Sequence, residues 1–296
     1  MVRSMTGFAT KSITVPVQDT QVSMVIALKS LNSRFFDATC KLPYPISNLE
    51  TEFVQLFKSQ LLRGYVSFTI HLTTANAFKS KVEPSLPTIA GYMHALDEIK
   101  KHFAIEGSIS IANVLQLPSV FSVQEEELST QAKELIFTTT QHLIEQLIVM
   151  QTKEGSVLKH DLLARIAVIE QELTIIEKAY LEMIALQKKK VDNAMQELEM
   201  DDSKFAETHK SALYVMLDKI DIHEEIVRFK NHLNNLSLEL ETPRIEKGKR
   251  IDFILQELGR EINTITAKCS DSSIGTHAIN VKVELEKARE QNQNIV

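Results

Sequence analysis

The sequence predicts an α+β fold: an N-terminal mixed α/β domain with a small sheet, a long helical, coiled-coil-like middle and an all-α C-terminal domain. Three observations carry this expectation. Apolar residues follow a β-leaning, partly alternating pattern in the first 72 residues, they recur at three-to-four spacing from about Leu128 onward, and a heptad seam crosses the middle. A chain of 296 residues fits one large domain or two ordinary ones joined by something elongated. The expected division is 1–125, then 126–205 as a long helical hairpin or coiled segment, then 206–296.

The elements follow in order. Residues 3 to 42 read as strands: Gln21 to Leu28 is β-leaning after an earlier strand, and Arg34 to Leu42 continues after the Asn32-Ser33 break until Pro43 and Pro45 end it. Leu49, Phe53, Leu56, Phe57 and Leu61 then recur at helical spacing, and Arg63-Gly64 closes that helix with a glycine able to adopt the left-handed cap. Val66 to Leu72 returns to period two, giving the order strand, strand, strand, helix, strand. Pro84, Pro87 and Pro118 punctuate the next stretch, with a helix expected from about Thr88 to Phe103. Leu162, Ile166, Ile169, Leu173, Ile176, Tyr180 and Met183 step alternately by four and three, the spacing of a helix–helix seam whose partner lies in the same chain or in another subunit. Lys188-Lys189-Lys190 follows it, either as a solvated helix face or as a contact for phosphates.

Charge and composition narrow the function. Lys and Arg total 33 against 39 Asp and Glu, a net charge of −6 and a pI near 5.9, which argues against nonspecific coating of nucleic acid over the whole surface. Residues 1–82 nevertheless hold nine basic against four acidic residues, a local balance of +5 that leaves −11 for the remainder. Such asymmetry suggests an anionic partner at the basic end, with a merely solvated basic surface as the alternative. Cys40 and Cys269 stand far apart without ligand-spaced neighbours, so neither a disulfide framework nor a thiolate zinc site is expected. No apolar stretch follows Arg3 and no run approaches the length of a membrane span, so a soluble, cytoplasmic protein is expected. Phosphate-cradling glycine loops, nucleophile elbows and dinucleotide fingerprints are missing, which removes support from nucleotide hydrolysis and hydride transfer.

Two helices near the end pair an apolar stripe with polar residues at its border. Ile222, Ile226, Phe229, Leu233, Leu236 and Leu240 form one core face, flanked by Glu225 and His232, which lie about 20° apart on an ideal wheel. Ile251, Ile254, Leu258, Ile262 and Ile265 form the other, with Glu257 and Glu261 one turn apart at its edge and Arg260 beside them. Antiparallel packing would let two carboxylates and an imidazole converge. That donor set, rich in oxygen with one nitrogen, suits Mg²⁺ or Mn²⁺. It also suits general acid–base work, while paired glutamates and a boundary histidine occur equally as structural partners. The preceding loop, Arg244 to Arg250, holds four basic residues and one acid, so positive charge lies near those carboxylates, the electrostatics of a phosphodiesterase site.

Several strings resemble a known family. Arg3-Ser4-Met5-Thr6-Gly7-Phe8, Leu31-Asn32-Ser33-Arg34-Phe35-Phe36-Asp37 with Leu42-Pro43, and Leu62-Arg63-Gly64 look like the N-terminal region of the YicC-like family. The C-terminal part is more similar still: Lys219 to Glu225, Arg228, His232, Gly248 to Glu257, Arg260 to Thr264, Lys268, and Arg289 to Gln291 with Gln293-Asn294. The middle, about 75 to 210, matches only in pattern. The resemblance implies a cytoplasmic endoribonuclease dependent on a divalent metal and built as a ring-like hexamer, with its most characteristic residues in the helical C-terminal domain. Three positions depart from the family pattern: Tyr65 where a basic residue is usual, Gln151 where arginine is usual, and Ser33 in place of a commoner histidine, which removes any role for an imidazole there.

Resemblance and helical wheels together give a candidate site for cleavage of RNA phosphodiester bonds. Glu257 and Glu261 are the first-choice ligands of Mn²⁺ or Mg²⁺, Glu225 a further ligand or general base, and His232 a ligand or general acid. Arg34, Arg63, Lys249, Arg250 and Arg260 are the expected RNA phosphate contacts. The competing expectations are a noncatalytic RNA-binding adaptor or scaffold presenting RNA to another nuclease, and a purely structural oligomer.

Overall fold

The computed structural model describes residues 2–17, 20–73, 79–125, 128–199, 215, 219–269 and 271–296. The fold is α+β. Strands β1 (Gly7–Val17), β2 (Thr20–Leu31), β3 (Phe36–Lys41) and β4 (Gly64–Leu72) form a sheet in the order β1-β2-β4-β3. Helix α1 (Glu50–Gln60), entered through a 3-10 turn at Tyr44–Leu49, connects β3 to β4, and that crossover makes theirs the parallel pair in an otherwise antiparallel sheet. Period two puts Met24, Ile26, Leu28, Val66, Phe68 and Ile70 on one buried face, where Phe53 and Phe57 of α1 cover them. The Phe53 ring lies 4.8 Å from that of Phe68 and 4.6 Å from that of Phe137, so one aromatic links sheet, α1 and the long helix that follows.

The strand order matches the sequence expectation. The stretch after it holds more than the single expected helix: β5 (Lys79–Pro84) pairs antiparallel with β6 (Phe121–Glu125), enclosing α2 (Leu86–Phe103) and α3 (Ile111–Leu115). Pro84 closes β5 and Pro87 sits in the first turn of α2, both positions that tolerate a missing amide. Helix α2 buries none of its residues within this chain.

Helix α4 (Thr130–Glu199) runs unbroken for 70 residues. Its first half packs on the sheet through Ile136, Leu143, Ile144 and Leu147, and its second half enters a separate core with α5 (His223–Glu241), α6 (Gly248–Lys268) and α7 (Ser272–Asn292). The expected segment boundaries at 126 and 205 fall on residues outside the described set. The seam's partner is α7 of the same chain, where Ile274, Ala278, Val281, Leu285 and Ala288 are buried at the same alternating steps of four and three. The Arg165–Glu284 ion pair (2.9 Å) and the His277 Nδ1–Glu172 contact (2.6 Å) show that the two helices run antiparallel.

The string Arg3 to Gly7 fastens the two cores together. Ser4 and Thr6 hydroxyls both donate to Glu154 at 2.7 Å, Ser4 pairs with Ile295, and Val296 N donates to Arg3 O. Gln151 is buried: it accepts from Arg3 Nε at 3.0 Å and donates to Met5 O. Gly155 lets this strap lie against α4, because a Cβ there would stand 2.3 Å from Val2 O. Alanine in a helix interior is favoured over glycine by about 1 kcal/mol where space is free. Gly259 has nothing within 4 Å of its virtual Cβ. Gly259→Ala should therefore raise stability by about 0.5–1 kcal/mol, while Gly155→Ala should lower it by about 1–3 kcal/mol, since moving a backbone strap outweighs propensity. Urea midpoints check this, and Gly155→Ala matching or exceeding the wild type would contradict the close approach.

Candidate functional site

A cleft of about 720 Å³ opens where the sheet meets the α5–α6 connection. From the N-terminal side it is lined by Arg34, Phe35, Phe36, Leu62 and Arg63, and from the C-terminal side by residues 244–250 and Val296. Four of the five expected phosphate contacts, Arg34, Arg63, Lys249 and Arg250, thus share one cleft although some 200 residues separate the two pairs in the chain. The fifth, Arg260, does not: it lies along α6, bonded to Glu257 at 2.6 Å and facing a second depression between α6 and α7.

The cleft walls are held by specific contacts. Arg63 Nε donates to Ser33 O at 3.1 Å, which fixes the turn carrying Arg34 and Phe35. The amides of Lys247 and Gly248, the first of α6, both donate to Val296 O. A Cβ on Gly248 would meet Ile295 O at 2.5 Å, so only glycine admits the final segment here, and Asn292 Nδ2 completes the contact by donating to Gly248 O at 2.9 Å. Those two helix-terminal amides are therefore engaged, and the cleft offers an anion the side chains of Arg34, Arg63, Lys249 and Arg250. One basic residue of the loop is withdrawn from that role. Lys247 is 1% exposed, its Nζ donates to the carbonyls of Leu240 (3.0 Å) and Thr242 (2.7 Å), and burial pushes its pKa down. It caps the last turn of α5.

The expected carboxylates lie along the same hairpin. Lys268 Nζ sits 2.8 Å from Glu225 Oε1 at one end and Arg250 3.7 Å from Glu239 Oε2 at the other, so α5 and α6 are antiparallel. Seven-residue steps return to within about 20° on a helix. Glu225, His232 and Glu239 therefore share a stripe of α5, as Arg250, Glu257 and Glu261 share one of α6, and the register carries His232 to the level of Glu257 and Glu261. Glu225 is two turns, roughly 10 Å, from His232, and the structure does not bring it to the other three. It is nearly buried, its Oε1 is held by Lys268, and its Oε2 has no hydrogen-bond partner. That bond holds the Lys268 ammonium above its ordinary pKa.

Among the described residues no three His, Cys, Asp or Glu side chains gather closely enough to hold a metal by themselves. Two carboxylates one turn apart still fit Mg²⁺ or Mn²⁺, which keep water in their shells and take the rest from a substrate phosphate. The half-buried Glu257 and Glu261 have that arrangement, one side of it next to the exposed Arg260.

Comparison with known proteins matches this chain in two parts. Residues 2–160 match the description "Endoribonuclease YicC-like, N-terminal region" and residues 176–296 "Endoribonuclease YicC-like, C-terminal". The chain belongs to the YicC-like endoribonuclease family. Similar relatives include proteins named "Probable endoribonuclease YicC" from Clostridioides difficile (strain 630), 31% identical, and from Haemophilus influenzae (strain ATCC 51907 / DSM 11121 / KW20 / Rd), 26% identical. Each is matched over 100% of both chains. The cleft thus joins the two parts of a YicC-like protein, one wall from each match. Sequence reasoning missed the inward turn of Lys247 and the fit of Val296 against α6. Neither has a signal in composition or spacing: the first depends on how the loop folds back over the last turn of α5, the second on where residues 292–296 return.

Proposed function

We propose that this YicC-like protein is a cytoplasmic endoribonuclease that uses Mg²⁺ or Mn²⁺ and holds RNA in the cleft between its two parts. The observation that carries the reading is the meeting of Arg34, Arg63, Lys249 and Arg250 in one cleft, on the same hairpin as the Glu257–Glu261 edge. Arg34 and Arg63 bind and orient RNA phosphates from the sheet side, and Lys249 and Arg250 from the helical side. Glu257 and Glu261 would hold the cation, roughly 10 and 16 Å along α6 from Arg250. When bound, that cation supplies positive charge that favours attack at phosphorus by water or a ribose 2′-hydroxyl. His232, at the level of the two glutamates, protonates the departing oxygen, while the attacking water or hydroxyl gives up its proton to solvent. Arg260, paired with Glu257, is the cation beside the two carboxylates and would offset the charge that builds on the phosphoryl oxygens.

Charge removal tests the cleft. In EDTA, Arg63→Gln and Arg250→Gln should each weaken RNA binding and flatten the dependence of log affinity on log salt by about one unit of slope. An unchanged slope in both would place the RNA path elsewhere, with the exposed Lys188, Lys189 and Lys190 next to test.

We also propose that the chain assembles as a homo-oligomer, the hexamer that the resemblance implies. Its support is the arm from β5 to β6, which leaves Leu86, Phe103, Ile105, Ile111 and Leu115 each more than half exposed. Burying such side chains is worth roughly 1.5–3 kcal/mol apiece, and a second copy presenting the same arm can do so. Light scattering should give a multiple of 33.5 kDa, and a single chain's mass would contradict it.

A further inference from the structure

We infer that Phe253 places the nucleotide to be cut: a base rests on its ring, and the scissile phosphate then lies at Glu257 and Glu261. This rests on the proposed endoribonuclease activity and deepens it by naming a further substrate contact. Phe253 is 61% exposed on α6. An exposed phenylalanine is by itself ordinary in a folded protein, but the position of this one is not. Ile251, Leu255, Leu258, Ile262 and Ile265 form the buried stripe of α6, and at about 100° per residue Phe253 points roughly 120° or more away from each of them. Within about 60° of it lie Lys249 and Glu257, one turn to either side, with Arg250 three residues before and Arg260 seven after. Phe253 is thus the apolar step between the basic wall of the cleft and the carboxylate pair.

Chemistry assigns the step to a base. A strand that reaches along α6 from Arg250 to Glu257, roughly 10 Å, crosses this ring. A phosphate gains nothing from a phenyl face, whereas a base stacks on it. The basic residues alone leave placement open. Lys249 and Arg250 are both exposed, and Arg250 Nη1 stands 3.7 Å from Glu239, so each binds a phosphate at the end of a long side chain with many rotamers. A reacting group misplaced by about 1 Å can cost roughly 100-fold in rate. A ring with two rotatable bonds, rooted on a helix whose opposite face is packed, is the more rigid stop. Glu257, with Oε1 bonded to Arg260 at 2.6 Å, stands one turn beyond it.

The test follows cleavage of one end-labelled RNA in Mn²⁺ with the full-length protein in excess, together with its binding in EDTA. Phe253→Ala and Phe253→Leu should each lower the cleavage rate at saturating protein roughly 5- to 100-fold. Affinity in EDTA should change less than about threefold, because the phosphate contacts of the cleft carry binding. Phe253→Tyr keeps the aromatic face and should cut as wild type. Helix content and light-scattering mass should be the same in all three variants, since the ring lies outside the core. Wild-type rates in the alanine and leucine variants would overturn the inference and leave the proposed activity standing. A loss confined to affinity would also overturn it, because the ring would then hold RNA without placing it. So would recovery of the rate by leucine, which marks a plain apolar contact, or a lower mass for the alanine variant, which marks a contact between copies. RNA left uncut by the wild type would remove the activity and the placement together.

Discussion

Replacing Leu173 and Ile176 together with Asp is expected to unfold the helical C-terminal core. Both side chains are almost fully buried, facing the α7 seam of the same chain. Truncating a buried Leu or Ile costs roughly 2–5 kcal/mol, and each carboxylate would in addition lie unpaired in an apolar interior. Two such changes match or exceed the roughly 5–15 kcal/mol that separates a folded domain from its unfolded state. Circular dichroism should show a large fall in helix content, with loss of the cleft, whose C-terminal wall hangs on this core. Wild-type helix content and urea midpoint would show that the stripe is not a packing seam.

Glu257→Gln and Glu261→Gln should each abolish cleavage while leaving the fold intact. Glutamine keeps the shape and removes the charge that a hard cation requires. A cation contributing several kcal/mol to the transition state is worth on the order of 100-fold or more in rate. The structural cost is small by comparison: Glu257 pairs with an exposed Arg260 three residues on, and such helix-surface pairs are worth about 0.3–0.5 kcal/mol. The two readings therefore separate cleanly by magnitude. Loss of cleavage with an unchanged urea midpoint supports the ligand role, and unaltered cleavage by both variants would remove it.

Local pattern made much of this fold legible. Strand alternation, the helical spacing of Phe53 and Phe57 and the stripes of α5 and α6 are each periodic within one element, whatever they pack against. Other features depend on distant partners. Gly155 reads as a helix weakness until the Val2 carbonyl is seen to lie on it. The α7 half of the seam is carried partly by Ala278 and Ala288, whose small side chains give little periodic signal. At the site, the wheel gives the stripes that carry Glu225 and His232 on α5 and Glu257 and Glu261 on α6. It conserves angle and not height along the axis, so the place of Glu225 beside Lys268 at one end of the hairpin has no signal in it. Charge balance and resemblance both mark Arg34, Arg63, Lys249 and Arg250, but no periodicity shows that positions so far apart meet in one cleft.

The most direct test of the proposed activity incubates the purified protein with end-labelled RNA in three conditions: with Mn²⁺, with EDTA, and with EDTA followed by excess Mn²⁺. Internal cleavage in the first, none in the second and its return in the third is the expected result. RNA bound but uncut in all three conditions would contradict it and leave an adaptor that holds RNA for another nuclease.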